Sequence, residues 1–193
     1  MNIVKLVVGI LLWIAVVGLA YWLYRTVDDP VKFKAEYEVR SKATKTRLLD
    51  IKVAQEYFKD SKGTYASNFD HLINTLENDK LTIIKASGDK DDTTINVVYD
   101  TILISIKDEI FKNNKFKGTE KIQDLKNIPF TNNTFELAMD TFKQERVEFP
   151  VFEAKATKDK YLDGLDEEQI SNPAIKDLSI GSLTKASGKG SWQ

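Results

Sequence analysis

Several residue types that carry common chemistry are absent or scarce in this 193-residue chain. There is no cysteine, which excludes disulfides, thiol catalysis, iron–sulfur clusters and cysteine zinc sites. A single histidine excludes a metal site built from several histidines. The P-loop, GxGxxG, GxSxG and HExxH patterns do not occur in the sequence. We therefore predict a protein that is not an enzyme and that has no metal site and no cofactor.

Charge of one sign is not in excess either, since 28 Lys and Arg residues face 29 Asp and Glu residues and the formal net charge is -1. This balance argues against a basic nucleic-acid-binding protein. The segment FKNNKFKG (111–118) mixes lysine with phenylalanine, but the total charge provides no basic surface to support it. We interpret it as a solvated loop and expect no nucleic-acid partner.

Hydrophobic residues make up 42% of the chain, and a disproportionate share of them precedes Arg25. The uncharged run from Leu6 to Tyr24 has about 19 residues, and about 20 apolar residues cross a bilayer as a helix. Its far end is aromatic, as at a membrane interface. The pattern predicts a membrane anchor at residues 1–25 that contacts lipid, and the anchor and assembly residues are Leu6, Leu12, Trp13, Val17, Trp22 and Tyr24.

Three alternatives to a retained anchor are less consistent with the residues. A cleaved signal peptide has a shorter apolar core and ends in a small-x-small site, whereas this run ends in the bulky YWLYR. A helix in a protein core is seldom apolar on every face over this length. A helix lying on the membrane surface has a polar face, and this run has none.

The orientation of the anchor stays open on the residues alone. The amino terminus and Lys5 precede the run, whereas Arg25, Lys32, Lys34, Arg40 and Lys42 follow it. Counted in this way, the positive-inside rule places the larger part of the chain in the cytoplasm.

The next segment is typical of a long helix, because Val31 to about Phe58 has neither Gly nor Pro. Pro30 suits the first turn of a new helix or a kink in a continuous one. Apolar residues recur at helical spacing, in a narrow stripe in the first half and a broader one in the second: Val31, Ala35, Val39 and Ala43, then Leu48, Leu49, Ile51, Val53, Ala54, Tyr57 and Phe58. We predict an exposed stalk over 26–47 and a head over 48–193, with packing against the head from about Leu48.

The segment from Asp50 to Leu76 resembles the end of the long helix in type IV pilins and type II secretion pseudopilins. In those families a helix with an Ala-x-x-Tyr-like stretch runs into a short Gly-x-Tyr turn and then into a helix that carries a leucine. The matching residues here are Ala54, Tyr57, Gly63, Tyr65, Phe69 and Leu72. The tripeptide Gly63–Tyr65 alone is equally typical of an ordinary helix C-terminus.

The tail, DLSIGSLTKASGKGSW (177–192), is similar to the closing strand, Gly-rich loop and terminal Trp of the major pseudopilin. Its matching residues are Gly181, Gly188, Gly190 and Trp192. The chain departs from the family because the apolar run contains no glutamate and the last loop lacks the family's calcium-binding acids. The resemblance therefore implies a divergent pilin-like protein.

The resemblance also implies a location and a role. It places the anchor in a bacterial inner membrane and the head in the periplasm, with other membrane or envelope proteins as partners in a homo- or hetero-oligomer. The subunit would assemble into, or dock onto, an envelope filament or a secretion or motility machine. The alternative is a membrane-tethered periplasmic binding module that captures a protein or ligand without polymerising.

The remainder of the chain reads as short strands. Residues 81–87 are rich in β-branched residues and a polar turn follows at 88–94. Ile102, Ile104 and Ile106 alternate as in a strand, although Ile95, Val98, Ile102, Ile106 and Ile110 also fit a helix. Segments 134–142 and 146–156 predict a hairpin with Phe135, Leu137 and Met139 on one side, an edge or bulge at Pro150, and a last strand in 177–183. The predicted class is α+β, with an antiparallel sheet packed on the long helix.

Two groups could carry chemistry, and each has a simpler explanation. His71 follows Asp70 on a predicted helix, where adjacent residues do not face each other, so we interpret it as a surface histidine. An acidic run invites a calcium site but lacks the alternating ligand spacing of an EF-hand, and it suits a helix N-terminus equally well: Asp159, Asp163, Asp166, Glu167 and Glu168.

Overall fold

The structure is a computed structural model that describes residues 3–87, 98–144, 147–185 and 187–193. A 60-residue helix, α1 (Ile3–Lys62), is followed by α2 (Phe69–Asn78), β1 (Lys80–Ser87), β2 (Val98–Ser105) and α3 (Ile106–Lys112). A 3-10 helix (Ile122–Lys126), β3 (Glu136–Gln144), β4 (Val147–Ala156), α4 (Lys158–Tyr161), α5 (Glu167–Ile170) and β5 (Leu178–Gly181) complete the chain. The predicted turn at 88–94 and Ile95 lie outside the described residues.

The helix α1 is continuous through Pro30, so this proline does not start a new helix. It ends at Lys62 because Gly63 has a φ of 77°, in the left-handed region that ends helices, and its N–H donates to the Lys59 carbonyl at 2.7 Å. By length and composition α1 is long and apolar enough to cross a membrane.

Burial along α1 begins at Ser41, about two turns before Leu48. The predicted stripe of Val31, Ala35 and Val39 is exposed. The side chains that face the rest of the protein in this part of α1 are Phe33, Tyr37, Ser41 and Thr44. In the second half the predicted stripe is confirmed at Leu48, Ile51, Ala54 and Phe58, which are at most 7% exposed, and Val53 and Tyr57 are partly buried. The prediction is wrong at Leu49, which is 41% exposed because it lies about 100° around α1 from Leu48.

The helix α2 begins at an Asn68 cap, whose side-chain oxygen accepts the His71 N–H at 2.8 Å. The strands β1 and β2 then pair as an antiparallel ribbon in which Lys80 is opposite Ser105. The predicted strand ends at Ser105, because Ile106 is the first residue of α3 and is fully buried in the core. Both patterns in this segment were therefore real: the alternation holds to Ile104, and the helical spacing holds at Ile106 and Ile110.

The second sheet is antiparallel with the order β3-β4-β5. The predicted hairpin is confirmed, with Met139 opposite Phe152 and Thr141 opposite Pro150. The strand β5 pairs with Glu153–Ala156 of β4 and does not extend to Pro150, so β4 is an edge strand on that side at Pro150. A residue without an N–H is tolerated at such an edge.

One hydrophobic core joins α1, α2, α3, the 3-10 helix and the inner face of the three-stranded sheet. Its largest fully buried side chain is Tyr161, whose hydroxyl donates to the Lys176 carbonyl at 3.0 Å. Burial raises the pKa of Tyr161, so its hydroxyl stays protonated. The architecture is a long N-terminal helix with small antiparallel sheets and agrees with the α+β class.

Candidate functional site: the apolar segment, the turn and the tail

The predicted anchor residues lie on α1 with their side chains exposed. Their exposed fractions run from 50% at Leu6 to 73% at Trp13, with Leu12, Val17, Trp22 and Tyr24 between. Large apolar side chains exposed over so long a segment need a non-aqueous environment or a partner. The geometry therefore separates this segment from the packed second half of the same helix.

The predicted pilin-like turn is held by a side chain that the sequence analysis did not identify, Gln55. Its amide Nε2 donates to the Ala66 carbonyl at 3.0 Å, and its Oε1 accepts the Ala66 N–H at 2.8 Å. Gln55 and Ala66 are both buried, so this pair satisfies backbone groups that water does not reach. The available signal was a glutamine next to Ala54 on the apolar face of α1.

Tyr65, the last residue of the turn, packs on the three-stranded sheet. Its ring lies 4.7 Å from that of Phe152, and the Lys59 ammonium lies 5.0 Å from its centroid, within the range of a cation–π contact. Ala54 and Leu72 are fully buried, and Tyr57 and Phe69 pack against the same core. Burial, followed by the charge of Glu109, raises the pKa of Tyr57. Five of the six predicted residues thus lie in or against the one hydrophobic core, and the sixth, Gly63, ends α1.

The predicted tail residues also have defined places. Gly181 has a φ of 81°, and a Cβ there would stand 2.2 Å from the Phe152 carbonyl oxygen, so no side chain fits. Gly190 bridges Ile180 and lies under the Trp192 ring, which is partly buried on the core. Gly188 lies beside Lys52 of α1. The tail therefore adds one isolated bridge to β5, between Gly190 and Ile180.

A cleft of about 190 Å³ lies where the turn and the tail meet. It is lined by Lys59 and Tyr65, by Ser187 and Gly188 of the tail, and by residues 149–152 of β4. Phe149 at this cleft is 40% exposed. The cleft combines aromatic surface with the Lys59 ammonium group and the hydroxyls of Tyr65 and Ser187.

A second unpredicted residue, Asp50, fastens a distant loop to α1. Its Oδ1 accepts the Lys117 N–H at 2.9 Å, and its Oδ2 accepts the Gly118 N–H and the Thr119 hydroxyl, both at 2.8 Å. Asp50 is only 2% exposed. A buried carboxylate with three donors is satisfied by them. No spacing rule links Asp50 to residues 117–119, so the sequence offered no signal for this contact.

The head also contacts α1 through arginines. The Arg40 guanidinium donates to the Asp163 carbonyl at 2.7 Å, and Arg47 donates to the Asp124 carbonyl. Burial lowers the pKa of Arg47, and the negative charges of Asp50, Asp124 and Glu120 act in the opposite direction. The loop after α4 reaches α1 at Phe33 and Glu36 across a cleft of about 360 Å³. Contacts between α1 and the rest of the protein therefore reach back to Phe33, about nine residues beyond Tyr24.

The two groups with possible chemistry are placed apart. His71 is exposed on α2. Asp166 caps α5 by accepting the Glu168 N–H at 3.1 Å, and Asp163 accepts the Asn133 side-chain amide at 3.0 Å. Among the described residues, no three Asp, Glu or His side chains come together as a metal site would require.

Comparisons with protein-family models, with curated proteins and with solved structures find no match to this chain.

Proposed function

We propose that this protein is a non-enzymatic structural subunit, similar to pilins and pseudopilins, that is anchored in the bacterial inner membrane by residues 1–25. Its head lies in the periplasm and docks onto, or assembles into, an envelope filament or a secretion or motility machine. The carrying observation is the contrast along α1: the apolar side chains of residues 6–24 are exposed, whereas Leu48, Ile51, Ala54 and Phe58 near its other end are buried in a head.

The assembly has two kinds of contact. Lipid-embedded helices pack by van der Waals contact with their neighbours, and the head surfaces select the partner. The turn and the tail support this role. Gln55 holds the turn at Ala66, and Gly181 lies close against Phe152 of β4, so this part of the head has a fixed shape for docking.

The test is chemical crosslinking of the full-length protein in its own membranes with an amine-reactive reagent. We expect crosslinked homo- or hetero-oligomers at low expression. A single-span protein of unrelated sequence at the same level is the control for crowding. A protein that stays strictly monomeric and crosslinks to nothing would contradict the proposal.

The location of the head has its own test, external protease applied to spheroplasts. A periplasmic head is digested, whereas a cytoplasmic head is protected until the membrane is lysed. Protection would agree with the Lys and Arg count after residue 24 and would overturn both the periplasmic location and the pilin-like role.

The cleft beside Phe149 favours a second candidate, a tethered binding module that captures a protein or ligand without polymerising. Phe149→Ala in the full-length chain tests it, with Phe130→Ala as the control because Phe130 is exposed elsewhere on the head. A receptor loses a co-purifying partner with Phe149→Ala, keeps it with Phe130→Ala, and remains monomeric throughout.

A further inference from the structure

The outer face of α1 beyond the apolar segment carries an unpartnered stripe, Val31, Ala35 and Val39, which we call the outer stripe. Val31 is 63% exposed and Val39 is 56% exposed. At 100° per residue the outer stripe lies about half a turn around α1 from the residues that face the head, Tyr37, Ser41 and Thr44. The head therefore cannot cover the outer stripe.

The outer stripe continues a face of the apolar segment. Leu6, Trp13, Val17 and Tyr24 lie on that face, whereas Leu12 and Trp22 lie on the other side of α1. Asp28 interrupts it, and this carboxylate is paired with Lys32 one turn later. Lys42, exposed on the same face, ends it about one turn beyond Val39. One apolar face thus runs from the membrane segment into the region that water surrounds.

Lipid can cover this face up to about Tyr24 but not at Val31, Ala35 and Val39. A partner that covers both parts must itself pass from the membrane into water at the same height, as a second α1 does. Copies of one chain insert with one orientation, so their helices are parallel. A two-fold axis between them then brings each residue of the face next to its own copy.

The dimensions suit such a pair. From Leu6 to Val39 the face is about 50 Å long at 1.5 Å per residue, and a strip about 10 Å wide covers roughly 1,000 Å² over both copies, the lower limit of specific interfaces. The contact ends before Lys42, whose charge lies on the same face, and the Lys117–Thr119 loop lies beside α1 one turn later, where a Cβ on Gly118 would stand 2.9 Å from the Thr46 methyl. The two heads lie on the outer sides of the pair.

We propose that two copies of this chain associate through the outer stripe as a parallel, in-register pair. The inference rests on the proposed function, because it requires α1 to be anchored in a membrane. It adds the partner, which is a second copy, the face of α1 used, and a register in which equal residues meet.

The test uses the absence of cysteine from the chain, since any cysteine introduced is then the only one. Val31→Cys, Ala35→Cys and Val39→Cys are oxidised one at a time in membranes containing the full-length protein. Lys34→Cys, exposed on the flank of the same helix, is the matched control. A disulfide requires Cα atoms within about 7 Å, so we expect about tenfold more dimer from the stripe positions than from the flank.

Equal yields at stripe and flank positions, or no disulfide at any of them, would overturn the in-register pair. Co-expression of Val31→Cys with Val39→Cys tests the register: a greater yield of the mixed pair than of like pairs means a staggered arrangement and also overturns it. Amine crosslinking of the same membranes separates the two proposals. Oligomers without the disulfide pattern remove only the pair, whereas a monomer in both experiments removes the proposed function as well.

Discussion

The two halves of α1 have the same backbone and different surroundings. Leu12 in the first half is 62% exposed, whereas Leu48 in the second half is fully buried. The first half is apolar on every side, and the second is apolar on the side where α2, α3 and the sheet pack. Helix propensity is therefore not what distinguishes them. The distribution of apolar side chains around the helix decides which solvent each half requires.

The largest expected effect comes from Leu48→Ala, compared with Leu12→Ala. Removing the Leu48 side chain leaves a cavity in the core and lowers the free energy of unfolding of the head by about 2–5 kcal/mol. Leu12→Ala removes the same atoms from an exposed position and leaves head unfolding unchanged. Thermal and denaturant unfolding measure both, and equal losses would break the comparison between the halves.

Arginine reverses the sensitivity of the two halves. Leu12→Arg makes insertion of the apolar segment less favourable by about 3 kcal/mol, the cost of a charge near the centre of a membrane helix. Leu49→Arg, at a position 41% exposed to water, leaves insertion unchanged. The membrane-extractable fraction of each variant is measured. Insertion unaffected by Leu12→Arg would contradict the assignment of the anchor.

Asp50→Ala tests how α1 holds a distant loop. It leaves the Lys117 and Gly118 N–H groups and the Thr119 hydroxyl without their acceptor, which costs the head about 2 kcal/mol. Asp60→Ala, on the exposed side of the same helix, is the control. Amide exchange at residues 117–119 should rise in the first variant alone. If it does not, these hydrogen bonds contribute little to the loop.

The smallest expected effect is a pH dependence at the end of α1. A hydrogen bond from Lys62 at 2.8 Å lowers the pKa of Asp79 below its ordinary value near 3.8, against a smaller opposing effect of burial. A carboxylate with a lowered pKa stabilises the fold above the unfolded pKa, and this stability is lost as the pH falls through the folded pKa. Because both groups are partly exposed, Asp79→Asn should change stability by less than about 1 kcal/mol above pH 4 and remove this acid dependence. Stability curves against pH for Asp79→Asn and for the exposed control Asp70→Asn measure it.

The elements that could be predicted are those whose signal is local. The alternation at Phe135, Leu137 and Met139 predicted the β3–β4 hairpin, and Gly63 predicted the end of α1. The change from strand to helix at Ile106 was ambiguous, because the same isoleucines satisfy both periods. The helical period prevails from Ile106 onward, because a helix places both Ile106 and Ile110 in the core.

The polar contacts of the candidate site could not be predicted in the same way. Gln55 and Asp50 lie on a helix whose sequence pattern indicates only which side is apolar. Their partners, Ala66 and the 117–119 loop, are brought to them by the folding of α2 and α3. The outer stripe shows the same limit, because the periodicity of Val31, Ala35 and Val39 identifies a face of the helix but not what covers it.

By itself the sequence determined that residues 6–24 form an uncharged apolar run, that a long helix continues from it, and that cysteine chemistry is absent, because each of these depends on residues next to one another in the chain. Only the tertiary structure decided that the head reaches α1 at Phe33 and that the outer stripe is left uncovered. It also decided that Gln55 and Asp50 are the residues of α1 that hydrogen-bond to Ala66 and to the 117–119 loop. Those facts depend on which distant segments meet, and chain order does not encode such meetings locally.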